Sequence, residues 1–92
     1  MIRSFRCAET KALADGVRVP RFVPIEKVAR RKLQQLKIAT TIEDLRVPPG
    51  NRLEALTRDR RGQHSIRIND QWRICFVWSD AGPENVEIVD YH

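Results

Sequence analysis

Two alternating runs lie only three residues apart, and this spacing constrains the fold more than any other feature. In residues 72–78 one face carries Trp72, Ile74, Phe76 and Trp78, and the other carries Arg73, Cys75 and Val77. In residues 63–68 His64, Ile66 and Ile68 share a face, while Gln63, Ser65 and Arg67 share the opposite one. A period of two is the mark of a half-buried strand. Asn69, Asp70 and Gln71 are too short a connection for anything but an antiparallel hairpin. A slip of one residue would turn each apolar set to solvent, so the pattern predicts the register: Ile68 against Trp72, Ile66 against Ile74, and Arg67 against Arg73.

The rest of the chain is read around that hairpin. Residues 52–56 and 86–91 extend it to a sheet of three or four strands. A loop at 79–84 sets Val77 against Val86, Cys75 against Ile88 and Arg73 against Asp90, with Trp72 meeting Tyr91. The other parity would turn Asp90 under the helices, where an unpaired carboxylate is costly. Ahead of the sheet, residues 2–5 suit a short first strand and residues 8–15 a helix that Gly16 stops. Residues 24–39 place Ile25, Val28, Ala29, Leu33, Leu36 and Ala39 at helical spacing, with Pro24 in the first turn. Residues 41–45 resemble a short capped helix ended by Pro48, Pro49 and Gly50. Helices followed by a meander predict an α+β fold, N-terminal helices packed on one face of an antiparallel sheet, with the second face left for a ligand. A length of 92 residues suits one domain over 1–92.

All 17 Lys and Arg lie before residue 79 against 8 acids there, whereas residues 79–92 hold 4 acids and no base. A body this basic suits a polyanion, because each phosphate contact releases counterions. Cys7 and Cys75 lack metal-ligand or disulfide-framework spacing. MIRSFRCAET has no apolar signal segment, and no run approaches a membrane span, so a cytoplasmic protein without membrane contact is expected.

In the predicted register Arg67, Arg73, Asp90 and His92 converge on the uncovered face. Opposed arginines repel, and an anion between them removes the objection, phosphate matching the guanidinium fork. Asp90 as an ordinary cross-strand partner of Arg73 does the same. An imidazole at His92 suits proton transfer near neutrality, unless the terminus simply frays. Arg58, Arg60 and Arg61, in TRDRRG, form either a phosphate-binding loop at the mouth of this face or a solvated turn. Lys27, Arg30, Arg31, Lys32 and Lys37 give the long helix a basic side, a solvated face or one that meets ribosomal RNA. His64 reads as a satisfied core or edge histidine, and Trp72 and Trp78 as core residues rather than base-stacking platforms.

The runs GQHSIRINDQWRICFVW and VEIVDYH, with PPGNRLEAL before them and MIRSF at the start, resemble the HigB branch of the RelE/ParE toxin superfamily, the plasmid maintenance system killer proteins. NDQWR and DYH are the most specific pieces. The resemblance implies a compact microbial-RNase-like (RelE-like) fold. It also implies a toxin that cleaves messenger RNA in the A site of the 70S ribosome and is restrained by a HigA-like, helix-turn-helix antitoxin. No metal or organic cofactor is expected. By position the family's catalytic set falls on Arg73, Asp90, Tyr91 and His92. A loop lysine of some relatives has no counterpart, Thr57 standing in its place, and Glu54 lies near where a relative offers a histidine. Antitoxin docking is a further use for the basic helix. A ParE-like inhibitor that binds DNA gyrase, or a basic RNA-binding module, is the alternative. Tyr91 is expected to anchor the terminus against Trp72.

Overall fold

Apolar residues at helical spacing fold as that period requires in the computed structural model, which describes residues 1–91. Helix α1 spans Ala8–Ala14, and Gly16 follows at φ +93°, the left-handed turn that ends it. A 3-10 turn at Pro20–Ile25 takes up Pro24, so α2 starts at Glu26 and runs Glu26–Ile38, later than the expected 24–39. The 3-10 turn Ile42–Arg46 opens on a capping box between Thr41 and Asp44. Asp44 Oδ2 accepts bonds from the amides of Thr40 (3.0 Å) and Thr41 (3.2 Å), which hold its carboxyl below the ordinary value of 3.8.

The sheet is antiparallel with strand order β1-β2-β3-β4: Glu54–Ala55, His64–Arg67, Trp72–Ser79 and Gly82–Asp90. The β2–β3 register is the predicted one, with Ile66 opposite Ile74 and Arg67 opposite Arg73. Strand β1 is shorter than 52–56 because Arg52, at φ +46°, lies in a left-handed turn. Residues 2–5 give only a parallel bridge between Phe5 and Val86, supported by Arg3 N–H to Pro83 O (2.7 Å).

Strand β4 corrects the sequence reading. It begins at Gly82, contracting the expected loop to Asp80 and Ala81, and an irregularity between Cys75 and Val77 shifts its pairing. Arg73 faces Val89, Ile74 faces Ile88, and Trp72 faces Asp90. Val86 and Ile88 therefore join the main core while Glu87 and Val89 turn to the other face. That core gathers Leu13, Phe22, Leu33 and Leu36 from the helical half onto Ile66, Ile74 and Phe76. Phe22 meets Trp72 edge to face, with centroids 5.7 Å apart. Leu56 and Cys75 are buried outside this cluster, in a smaller layer on the second face. Among the described residues no helix is long and apolar enough to cross a membrane.

Candidate functional site

Arg73 is held from three sides on the second face of the sheet. Its Nε donates to Ser65 Oγ at 2.7 Å, and its Nη2 donates to the Arg52 carbonyl at 2.8 Å. Nη2 also lies 3.5 Å from Glu54 Oε1, and the side chain is only 12% exposed. Glu54 reaches it because β1 pairs Glu54 with Ser65, on whose hydroxyl Arg73 leans diagonally. The acid beside Arg73 is thus Glu54 and not Asp90, which corrects the expected cross-strand pair. Arg67 ion-pairs with Asp70, so each of the opposed arginines has its own carboxylate and their mutual repulsion is relieved within the chain.

The loop of residues 57–62 carries a 3-10 turn at Arg58–Arg60, with Arg58 at φ +56° and Gly62 at φ +92°. Arg60 Nη1 donates to Glu87 Oε1 at 2.7 Å and to Gln63 Oε1 at 3.1 Å. This pair latches the loop across the sheet to β4, and the bond to Glu87 raises the Arg60 pKa further. Beneath it, burial pushes the Cys75 thiol up, so it stays protonated and unreactive.

Where the loop meets the end of β4 a cleft of about 360 Å³ opens, lined by Thr57, Arg58, Asp59, Arg60, Val89, Asp90 and Tyr91. Loop arginines and the carboxyl end of β4 are therefore brought together, as the sequence suggested, although in a different register. Tyr91 lines the cleft, 39% exposed, and its expected packing against Trp72 is not found; the ring partner of Trp72 is Phe22. Asp90 does not sit opposite Arg73 but opposite Trp72, at the cleft, where its Oδ2 accepts from Gln71 Nε2 at 3.2 Å. His92 lies outside the described residues. Arg58 lines the cleft and Arg61 stands exposed beside it, neither with an ion pair or hydrogen bond from its side chain among the described residues. Arg67 and Arg73 do not line the cleft, but Arg73 sits directly across from its wall residue Val89.

The basic side of α2 divides. Lys27, Arg31 and Lys37 are exposed. Arg30 instead ties the helices together, donating to the carbonyls of Leu13 (3.3 Å) and Val17 (3.2 Å) and to Glu26. Lys32, expected on the solvated or RNA-meeting side of the helix, is buried: it stands one turn from both Ala29 and Leu36 on the apolar stripe, bonded to Asn51 Oδ1. Burial lowers its pKa, helped by Arg31 and Arg67. His64 stacks on Phe76 but is half-buried and outside the main core, and its buried Nδ1 has no partner among the described residues, so it is not the satisfied histidine that was expected. Among those residues no three Cys, His, Asp or Glu side chains gather as a metal site.

Comparison with known proteins agrees with the resemblance. The profile of the HigB-like toxins, described as RelE-like toxin of type II toxin-antitoxin system HigB, matches residues 17–92. Toxin HigB-1 of Vibrio cholerae serotype O1 is 47% identical over 63 residues, 66% of each chain. An uncharacterized protein of Haemophilus influenzae is 37% identical over 60 residues, 65% of this chain and 59% of that one. The chain spans less than two thirds of the length of these curated relatives.

Proposed function

The chain belongs to the HigB-like toxins, the RelE-like toxins of type II toxin-antitoxin systems, and on that premise we propose that it is a ribosome-dependent endoribonuclease. In this reading it cuts messenger RNA in the ribosomal A site and is held in check by a HigA-like antitoxin. The observation that carries it is the cleft, where loop arginines, Asp90 and Tyr91 surround a space beside the Arg73 face. Such a site suits a phosphodiester better than an apolar ligand, since guanidinium groups match phosphate oxygens and stay charged.

Cleavage needs three services. The ribose 2′-OH must lose a proton, the charge gathering on phosphorus must be stabilised, and the leaving 5′-oxygen must gain a proton. Arg73 takes the second, with Arg58 and Arg61 guiding the backbone into the cleft. Proton transfer falls to the carboxyl end, Asp90, Tyr91 and His92, and the expected product is a 2′,3′-cyclic phosphate. Exposed Lys27, Arg31 and Lys37 supply a basic helix face for ribosomal RNA or the antitoxin. Induction in a bacterial host tests this. Growth arrest should come with new 5′ ends on a message carrying a start codon and none on the same message without one. Arrest with every message intact, or equal cutting of both messages, contradicts it.

A further inference from the structure

We infer that Ser65 and the Arg52 carbonyl are positioning groups for Arg73, turning its Nη1 as the one nitrogen left to meet a substrate phosphate. This rests on the nuclease reading above. A guanidinium has five N–H donors on three nitrogens. Here Nε is engaged by Ser65 Oγ at 2.7 Å, and Nη2 by the Arg52 carbonyl at 2.8 Å and by Glu54 at 3.5 Å. The edge made by Nε and Nη2, one that could otherwise grip two phosphate oxygens, is occupied by the protein itself. Nη1 keeps both its hydrogens without a partner among the described residues.

The groups that impose this are unusual for their places. Ser65 is a hydroxyl with 0% exposure in mid-sheet, between Glu54 on one neighbouring strand and Cys75 on the other. Packing alone is served there by alanine, and its hydroxyl bonds to nothing but Arg73 among the described residues. Arg52 adopts φ +46°, a left-handed conformation that residues other than glycine seldom take, and its carbonyl reaches Arg73 from that turn. Long side chains bring rotamer freedom to a site. A donor fixed before substrate arrives stabilises developing charge without reorganising, which is where such preorganisation acts on rate rather than on binding.

Single-turnover cleavage on 70S ribosomes programmed with messenger RNA, measured against toxin concentration, separates this role from a structural one. Ser65→Ala should slow the saturated rate by about tenfold to a hundredfold, the scale of a misplaced catalytic group, while the half-saturating concentration stays within about twofold. Ser65→Thr, which keeps the hydroxyl, should recover most of the rate. In an Arg73→Ala background Ser65→Ala should add nothing, because the two act as a unit, and this comparison decides the matter even where the threonine variant does not fold. A rate unchanged by Ser65→Ala, or an equal slowing with and without Arg73, overturns the inference while leaving the nuclease reading standing. If wild-type protein leaves the message uncut, the nuclease reading falls and this role falls with it.

Discussion

Replacing Asn51 by alanine should destabilise the protein far more than its short side chain suggests. Asn51 is fully buried; its Oδ1 accepts from Lys32 Nζ, and its Nδ2 donates to the Leu45 carbonyl at 3.0 Å and to Gln35 Oε1 at 3.1 Å. Alanine leaves the ammonium of a lysine only 5% exposed without its Asn51 acceptor, and the Leu45 carbonyl without that donor. Each buried polar group so stranded costs roughly 1–3 kcal/mol, the charged one at the upper end. Lys32 recovers part of this by extending its stem toward water, which leaves a net loss of about 3 kcal/mol. Against a total stability of about 5–15 kcal/mol that is a large fraction. Urea unfolding at neutral pH should show a lower midpoint at unchanged slope. Lys32→Met strands only the neutral Oδ1 and should cost about 1 kcal/mol. A loss below about 1 kcal/mol for Asn51→Ala, or a larger one for Lys32→Met, refutes the reasoning. The sign with pH is fixed too. Because the folded Lys32 pKa lies below its ordinary 10.5, the unfolded chain binds more protons between the two values. Wild-type stability should therefore rise with pH across that window relative to Lys32→Met.

Other expectations follow from single contacts. Asp44→Asn should lose the stability that wild type gains above pH 3.8, and the gap should close as pH falls through the depressed folded value, seen as converging melting temperatures. Phe22→Ala removes a fully buried ring that meets Trp72, and it should cost about 3–5 kcal/mol with a red shift in tryptophan emission. Glu87→Ala releases the latch on Arg60; it should cost about 1 kcal/mol or less yet speed amide exchange through residues 58–61.

What could be read in advance depended on how many independent constraints met at a position. The β2–β3 hairpin carried two apolar sets and a three-residue connection, and its register, including Arg67 against Arg73, came out as expected. The β3–β4 pair had a longer apparent loop, and the burial penalty on Asp90 pointed to the wrong parity. That penalty does not apply, because Asp90 sits exposed at the end of the strand opposite Trp72. Giving weight to Val86 and Ile88, both buried in the main core, would have turned Glu87 outward and exposed its match to Arg60. The meeting of Glu54 with Arg73 is not legible in the sequence because it depends on a two-residue strand and a left-handed Arg52 that no local pattern announces. Lys32 carries a charge that points to the polar face, yet its neighbours Ala29 and Leu36 place it on the apolar stripe, where it is buried.

The central claim is that one sheet face and the cleft beside it act on a phosphodiester, and it is tested most directly in a reconstituted 70S complex with a defined A-site codon. Primer extension after addition of wild type, Arg73→Ala and a variant lacking His92 reads the cut itself, with far-UV circular dichroism confirming that each is folded. The account predicts one cut within the A-site codon for wild type, slowed by about a hundredfold to a thousandfold in Arg73→Ala and lost in the variant lacking His92. Full-strength cutting by folded Arg73→Ala contradicts it.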